Sequence, residues 1–160
     1  MQITKDIIKV LEAGHAIANE KYYLRLFDEI LATCMDFTNA EGGILYIATK
    51  KQLLRLKEVN QKVDLDASET SYPDEDGERI HAEKQDRDRF YYVYSNPEII
   101  CIDNIYEDDR FDIEDIKEFD ERHGYKTSSV MLAPIVDSND KVLGVMQLTN
   151  CRTDDLKEVV

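Results

Sequence analysis

The stretch Phe119–Asn150, FDERHGYKTSSVMLAPIVDSNDKVLGVMQLTN, decides how this chain is expected to fold. It holds two apolar runs of strand length, Ser129–Asp137 and Lys141–Thr149, which are separated by the polar residues 138–140. Turn-forming side chains between two such runs are the usual signal for a β-hairpin. The sequence therefore predicts a hairpin, preceded by a helix that ends at Gly124.

Upstream of the hairpin, the spacing of apolar residues predicts further helices and strands. Apolar side chains repeat at three- and four-residue steps from Tyr22 to Phe37, which is typical of an amphipathic helix. The other predicted elements are strands at Ile44–Ala48, Leu53–Val59 and Glu98–Ile105, a helix or strand at Phe90–Tyr94, and a helix from Ile113 capped by Asp112. Strands joined by short turns imply an antiparallel sheet, and helices must cover its apolar faces. The predicted fold class is α+β, in a single domain.

The alternation of side chains along each strand predicts where polar groups lie. Tyr46 places a polar tip on one face of its strand. In Leu53–Val59 we expect an apolar face and a charged face. Leu54, Leu56 and Glu58 lie on the first, and Leu53, Arg55 and Lys57 lie on the second. In the last strand we expect Gln147 to share a face with Leu143 and Val145. A buried Gln must find hydrogen-bond partners, in the protein or in a ligand.

The charge of the whole chain excludes several classes of partner. Its 160 residues suit one domain, and 34 acidic against 20 basic residues give a formal net charge of -14 at pH 7. Such a surface lacks the clustered cations that bind phosphate, so we expect neither nucleic acid nor an anionic membrane as a partner. No apolar run reaches transmembrane length and no signal peptide is recognisable, which predicts a cytoplasmic location.

The cysteines and the acidic middle of the chain have simple interpretations. Cys34, Cys101 and Cys151 form no closely spaced pair, and we expect the first two to be buried free thiols and no metal site to be present. Residues 61–89 are rich in Asp and Glu and lack apolar periodicity, which predicts a long surface excursion. The spacing around Asp74 lacks the rest of a calcium-binding loop, so a solvated acidic loop is favoured.

The start of the chain carries a heptad-like apolar stripe on a predicted helix. Its members are Ile3, Ile7, Val10, Gly14 and Ile17. Such a stripe either packs on its own domain or forms a seam with a second copy of the chain, which would make it the interface of a homodimer. We therefore divide the chain into an N-terminal helix, residues 1–20, and a domain, residues 21–160.

The hairpin region also resembles a known family. The helix end FDERHGYKT, a strand with an internal Pro134, and GVMQLTN are together similar to the second half of a GAF domain, a sensory module for small ligands. The segment GGILYI at 42–47 extends the resemblance upstream. The joint pattern is similar to GAF domains placed ahead of HD-GYP or GGDEF output domains and to those of cyclic-nucleotide phosphodiesterases. The resemblance also implies a closing helix, whose remaining motif would lie beyond Val160.

The resemblance implies a ligand site between the sheet and the helices on one side. It places the ligand contacts at Asp120, His123, Thr127 and Gln147. These side chains can exchange hydrogen bonds with a purine-like ring or an amine, and His123 can change charge near neutral pH. Three of them also have a simpler interpretation. Asp120 would be a solvated helix carboxylate, His123 a cation at a helix C-terminus, and Thr127 a loop residue bonded to its own backbone.

The function that the resemblance implies is that of a regulatory sensory domain in a bacterial signalling protein. Its ligand would be a cyclic nucleotide or another small metabolite. The chain itself carries no catalytic motif, so we expect no enzyme activity in it. Binding of the ligand would modulate an output domain that lies outside this chain. That output domain would be a cyclic-di-nucleotide phosphodiesterase or cyclase. The alternatives are a ligand-free GAF-fold dimerisation scaffold and a redox or chromophore module that uses Cys101.

Overall fold

The strands predicted from the apolar runs pair into one antiparallel sheet. The computed structural model describes residues 20–48, 53–65 and 87–151. Within them the strands are β1 Gly42–Ala48, β2 Leu53–Asn60, β3 Ile100–Ile102, β4 Val130–Val136 and β5 Val142–Thr149. Their order across the sheet is β2-β1-β5-β4-β3, and each neighbouring pair is antiparallel. The predicted hairpin is confirmed as the pair β4 and β5.

The α-helices in the described part of the chain are α1 Glu20–Thr38, α2 Arg89–Ser95 and α3 Glu114–His123, and a 3-10 helix covers Ile105–Glu107. The strand predicted over Glu98–Ile105 is therefore shorter than expected, because only Ile100–Ile102 pairs with a neighbour. The aromatic run that sequence left open between helix and strand is the helix α2. The helix α3 starts one residue later than predicted, because Ile113 has non-helical backbone angles and takes the N-cap position without a side-chain cap. The Asp112 carboxylate, one residue before that position, accepts a hydrogen bond from the Glu114 N–H at 2.9 Å. Gly124 follows α3 with a φ of 60°, a left-handed conformation that glycine adopts without a steric penalty.

Helices cover both faces of the sheet and create two apolar clusters. On one face α1 packs through residues such as Leu31 against Leu45 and Leu148. On the other face α2 and α3 pack through residues such as Phe90 and Ile116. Each fully buried side chain of this size contributes about 1.5–3 kcal/mol to folding. The predicted α+β class, an antiparallel sheet covered by helices, is confirmed.

A β-bulge in β2 changes which of its side chains share a face. The pairing of β2 with β1 skips Leu56, because Lys57 and Arg55 lie opposite successive residues of β1. Arg55, opposite Tyr46, and Glu58 consequently face the same side of the sheet. The predicted alternation, which put Arg55 and Glu58 on opposite faces, is wrong for this reason. Lys57 extends instead to the α1 side, where it forms an ion pair with a carboxylate of that helix.

A second irregularity lies between β4 and β5. The pairing of these strands skips Leu143. Leu143 therefore packs in the cluster beneath α1, whereas Val145 packs in the cluster beneath α2 and α3. The expectation that Gln147 shares a face with both residues is wrong for Leu143 and right for Val145.

The structure corrects the expected burial of the cysteines. Cys101 is exposed, because it is the middle residue of the short edge strand β3 and faces away from the core that Ile100 and Ile102 enter. Cys34 and Cys151 are half-buried, and the three cysteines are free thiols.

Several predictions fall on residues that the structure does not describe. The apolar stripe, with the dimer interface assigned to Ile3, Ile7, Val10, Gly14 and Ile17, lies outside the described residues. The central part of the acidic excursion, residues 66–86, also lies outside them. Within the described ranges, no helix combines the length and the apolar character that crossing a membrane requires.

Candidate functional site

The face of the sheet beneath α2 and α3 holds a cavity of about 480 Å³. Its floor comes from β1, β2 and β5, and its roof comes from the start of α2 and from α3. Small-molecule sites in proteins typically have volumes of about 300–1,000 Å³. The cavity lies between the sheet and the helices on one side, where the resemblance predicts a ligand.

Cross-strand pairing arranges polar side chains in rows on the cavity floor. Gln147 of β5 lies opposite Ile44 of β1, and Ile44 lies opposite Glu58 of β2. In the neighbouring row, Tyr46 lies beside Arg55. The Arg55 guanidinium donates a hydrogen bond to the Glu58 carboxylate at 2.7 Å. The bulge in β2 permits this ion pair on the floor, because without it the two side chains would point to opposite faces.

Arg89, the first residue of α2, extends its guanidinium across the cavity floor. Its side chain is 2% exposed, and its Nε donates a hydrogen bond to Gln147 Oε1 at 2.6 Å. Its two terminal nitrogens donate to the Asp115 carboxylate at 3.0 and 2.8 Å. Burial by itself would lower the pKa of Arg89, but the adjacent carboxylate outweighs burial and holds that pKa above its ordinary value. Arg89 thus joins α2, α3 and β5 through charge-assisted hydrogen bonds.

The Tyr46 hydroxyl faces the cavity without a hydrogen-bond partner in the described part of the protein. Tyr46 is only 6% exposed, and its oxygen remains accessible from the cavity. Its ring packs on Phe90 with the centroids 4.3 Å apart. Burial raises the pKa of Tyr46 well above its ordinary value, and the nearby guanidiniums of Arg89 and Arg55 only partly offset this. The floor therefore presents a neutral hydroxyl that can both donate and accept a hydrogen bond.

Two predicted site residues, Thr127 and Gln147, line the cavity, and a third, Asp120, holds Thr127 in place. Asp120 is 7% exposed, so it is not a solvated carboxylate. It accepts hydrogen bonds from the Thr127 N–H at 2.9 Å, the Thr127 hydroxyl at 2.7 Å and the Tyr106 hydroxyl at 2.6 Å. Because the Thr127 hydroxyl donates its proton to Asp120, it offers lone pairs to the cavity. Asp120 itself is not among the described residues of the cavity lining.

The fourth predicted residue, His123, lies at the end of α3 and outside the described cavity lining. Its ring contacts Phe119, with centroids 4.6 Å apart, and its Nε2 lies 3.4 Å from the Nε of Arg122. The negative end of the helix dipole stabilises a basic side chain at this position. The structure therefore brings Thr127 and Gln147 to the cavity, with Asp120 behind Thr127, and leaves His123 to one side.

The lining of the cavity is acidic. Among its described residues there are six carboxylates and three guanidiniums. The carboxylates are those of Glu58, Asp88, Asp112, Glu114, Asp115 and Glu118. The last four are solvent-exposed, and they belong to α3 or to the segment just before it. Burial raises the pKa of Asp88, against the opposing effect of the Tyr91 N–H that it caps at 2.9 Å. The rim of the cavity therefore carries a negative potential.

Several charged residues of this site have no counterpart among the predicted site residues. Arg89 had a signal, because it directly precedes the apolar run FYYVY, and a charged residue buried with such neighbours must be paired. No comparable signal exists for the pair Arg55 and Glu58, because the bulge that brings them together breaks the alternation of the strand.

A hydrogen-bonded cluster connects the cavity wall to the end of β5. Asn150 follows β5 with a φ of 53°, and its Oδ1 accepts from the N–H groups of Ser128 and Ser129 at 2.7 and 3.2 Å. Its Nδ2 donates to the Tyr125 hydroxyl at 2.8 Å and to the Glu41 carboxylate at 3.1 Å. Tyr125 also lines the cavity. The GYKT and LTN segments of the sequence thus meet in one cluster beside the site.

The antiparallel sheet, its helical layers and the cavity beneath one of them define a GAF-type architecture. A family model described as "GAF domain" matches residues 23–158. The chain belongs to the GAF family.

Three solved structures illustrate the similarity in fold. The GAF domain of NLH2 from A. aeolicus is 14% identical, with a TM-score of 0.56 over 97% of this chain and 81% of that chain. The GAF domain of a two-component sensor histidine kinase from Bacillus halodurans is 15% identical, with a TM-score of 0.51 over 82% of this chain and 84% of that chain. The cyanobacteriochrome receptor PixJ is 13% identical, with a TM-score of 0.55 over 82% of this chain and 79% of that chain. Identities this low show the fold alone, and no curated protein matches the sequence.

Proposed function

We propose that this chain is the regulatory sensory domain of a bacterial signalling protein, and that a small molecule bound in the cavity is its signal. The observation that supports this most directly is the Tyr46 hydroxyl, which belongs to a side chain only 6% exposed, is accessible from the cavity and has no partner in the described protein. A ligand that excludes water from this hydroxyl loses free energy unless it supplies a hydrogen bond in place of the water. A molecule that supplies the missing partner gains affinity from that group.

The proposed contacts follow from the sides of the cavity on which each residue lies. Thr127 and Gln147 contact the ligand directly, together with Tyr46. Asp120 acts through Thr127, whose hydroxyl it orients. His123 lies at the end of α3, outside the described cavity lining, and its contact with the ligand stays a prediction of the resemblance. A cyclic nucleotide, which the resemblance implies, is one candidate ligand among small metabolites.

The proposed route of regulation runs through the helices that roof the cavity. Arg89 ties α2, α3 and the sheet together, so a molecule between them changes how these elements pack. A ligand shifts such an equilibrium only by its difference in affinity for the two arrangements. We propose that the shift reaches an attached HD-GYP hydrolase or GGDEF cyclase domain, in a homodimer joined through the N-terminal stripe.

A thermal-shift screen tests the sensory function. The chain is screened against nucleotides, cyclic nucleotides, amines, amino acids and organic acids. A ligand at about a hundred times its dissociation constant stabilises the fold by about 2.7 kcal/mol, which raises the melting temperature by about 5–10 °C. The variant Tyr46→Phe should respond less to the same compound, and the exposed Glu29→Gln on α1 should respond as the wild type does.

The alternative is a ligand-free dimerisation scaffold. One observation favours it: Arg89, Gln147 and Asp115 satisfy one another within the protein, so part of the floor needs no ligand. The scaffold predicts a dimer by analytical ultracentrifugation and no thermal shift with any compound. That pair of results would remove the sensory proposal.

A further inference from the structure

We infer that the signal molecule is a small organic cation, bearing a protonated amine or guanidinium group beside a hydrogen-bond acceptor, and is not a phosphate or carboxylate anion. The inference rests on the proposed sensory function and assigns a ligand class to the same cavity. It is carried by the charges of the rim, the pairing of the guanidiniums and the hydrogen-bonding polarity of the floor.

The rim of the cavity favours a cation. Its exposed charges are the carboxylates of Asp112, Glu114, Asp115 and Glu118 and the guanidinium of Arg122. Asp115 is paired with Arg89 and Glu114 with Lys117, and the carboxylates still outnumber these cations. Clefts lined by one sign of charge concentrate molecules of the opposite sign and repel those of the same sign. The net charge of -14 on the whole chain acts in the same direction. An anion would have to pass this rim against its potential.

The guanidiniums of the floor are already committed to carboxylates. Arg89 holds Asp115 through two hydrogen bonds of 3.0 and 2.8 Å, and Arg55 holds Glu58 at 2.7 Å. An anionic ligand would have to displace a carboxylate from a buried or half-buried pair, which leaves a charge without compensation. A cation meets no such cost, because carboxylate oxygens can accept further hydrogen bonds.

The other usual anion site in such a fold, a helix N-terminus, is also occupied by the protein's own charges. The start of α3 lies at the rim, and its first turn carries Glu114 and Asp115. The Asp112 carboxylate bonds the Glu114 N–H at 2.9 Å. Carboxylates at these positions neutralise the positive end of the helix dipole and exclude a phosphate from it.

The hydrogen-bonding groups of the floor specify donors on the ligand and one acceptor. The Thr127 hydroxyl gives its proton to Asp120 at 2.7 Å, so it accepts from the cavity side. The Gln147 amide oxygen is bonded to Arg89, and its nitrogen makes one long contact of 3.5 Å to Thr149, which leaves an N–H for a ligand acceptor. The Tyr46 hydroxyl takes either role. A protonated amine or guanidinium with a neighbouring oxygen matches this set.

Aromatic side chains at the cavity suit the same ligand class. Phe119, Tyr125 and Tyr46 line it. A cation over an aromatic face gains about 0.5–2 kcal/mol, more when it is desolvated. The aromatic walls therefore add to the attraction of the carboxylates for an organic cation and give nothing comparable to a phosphate.

The test starts from a deproteinised bacterial extract separated by cation exchange. The retained fraction, the unretained fraction, agmatine, spermidine, cyclic AMP and inorganic phosphate are each added to the whole chain, and the melting temperature is measured. We expect the retained fraction to raise it, and the unretained fraction, cyclic AMP and phosphate to leave it unchanged. A rise with the unretained fraction alone overturns the cation inference and leaves the sensory function standing. A rise with neither fraction contradicts both.

Variants distinguish the cavity from the acidic surface in general. For the retained fraction, the concentration that gives a half-maximal shift should increase about tenfold in Tyr46→Phe, which loses one hydrogen bond to the ligand. It should increase about threefold in Glu118→Gln, an exposed rim residue whose substitution leaves the core intact. The matched control is Glu121→Gln, exposed on the same helix but outside the described lining, which should behave as the wild type. Equal behaviour of all three variants would mean binding to surface charge only and would overturn the inference.

Discussion

Asp120 serves the candidate site through a neighbour. Its carboxylate accepts three hydrogen bonds, two of them from Thr127, and the side chain is 7% exposed. A carboxylate so engaged fixes the loop after α3 and the direction of the Thr127 hydroxyl. The carboxylate that the resemblance assigns to ligand contact is therefore engaged by the protein itself.

A first prediction at this scale concerns the stability carried by Asp120. Asp120→Ala should lower the free energy of unfolding by about 2–4 kcal/mol, because it leaves the buried Thr127 N–H and hydroxyl without an acceptor. Urea denaturation followed by circular dichroism measures the change. The neighbouring Glu121→Ala, at an exposed position of the same helix, should stay within about 0.5 kcal/mol of the wild type. Equal stability of the two variants would show that the Asp120 cluster contributes little to the fold.

At the scale of elements, the bulges in β2 and β5 decide which side chains enter the cavity. An extra residue at Leu56 turns Arg55 and Glu58 to one face, and the unpaired Leu143 reverses the alternation within β5. Each bulge shifts the period-two pattern by one position. The polar floor beneath α2 and α3 therefore depends on two local irregularities as much as on the strands themselves.

Gly144, next to the bulge in β5, is predicted to be required by this close packing. A methyl group at this position would overlap the Tyr46 carbonyl oxygen, which cannot retreat without disturbing the pairing of β1 with β5. Gly144→Ala should therefore lower the free energy of unfolding by about 2–3 kcal/mol. The urea midpoint and its slope give the measurement.

The control for this prediction is Gly124→Ala at the end of α3. An added methyl group there meets nothing within 4 Å, and only the φ of 60° opposes it. We expect that variant to lose about 1 kcal/mol. If Gly144→Ala proves as stable as the wild type, the strands must separate more easily than their pairing indicates.

The elements also show how far the sequence could predict the fold and the site. The hairpin, α1 and the Gly124 exit each have a local signal, namely apolar runs around polar turn residues, a three- and four-residue repeat, and a glycine after a helix. The bulges have none, because a skipped residue depends on which strand lies alongside. Thr127 and Gln147 line the cavity, and the ligand contact that the resemblance assigns to them stays a prediction. Arg89 was missed, because its partners Asp115 and Gln147 lie 26 and 58 positions away.

On the scale of the whole molecule, the sheet separates two different environments. The α1 side is an apolar cluster that contains residues such as Leu31 and Leu148. The opposite side combines an apolar cluster with a polar cavity, and the buried guanidinium of Arg89 bridges its two helices. Changes in the cavity therefore act on α2 and α3, while α1 keeps an independent contact with the sheet.

Three tyrosines on this second side and around it predict how stability depends on pH. Burial, the first cause in each case, raises the pKa of Tyr46, Tyr106 and Tyr125 above the ordinary value near 10. Hydrogen bonds to the carboxylates of Asp120 and Glu41 add to this effect for Tyr106 and Tyr125, and the pKa of Tyr106 rises to about 12. A raised pKa in the folded state means that folding favours the neutral phenol.

The stability that these phenols contribute should therefore be complete below pH 10 and decline as the pH rises from about 10 toward 12. Half-buried Cys34 and Cys151, whose thiol pKa values burial raises above 9.0, act with the same sign from a slightly lower pH. Burial lowers the pKa of Lys57, so this single group has the opposite effect on the pH dependence of stability. The urea midpoint measured from pH 8 to pH 11 should be constant at first and then fall. Tyr106→Phe should show a smaller fall above pH 10, because Phe has no proton to lose, and an equally steep fall in that variant would mean that other groups control the alkaline limit of this fold.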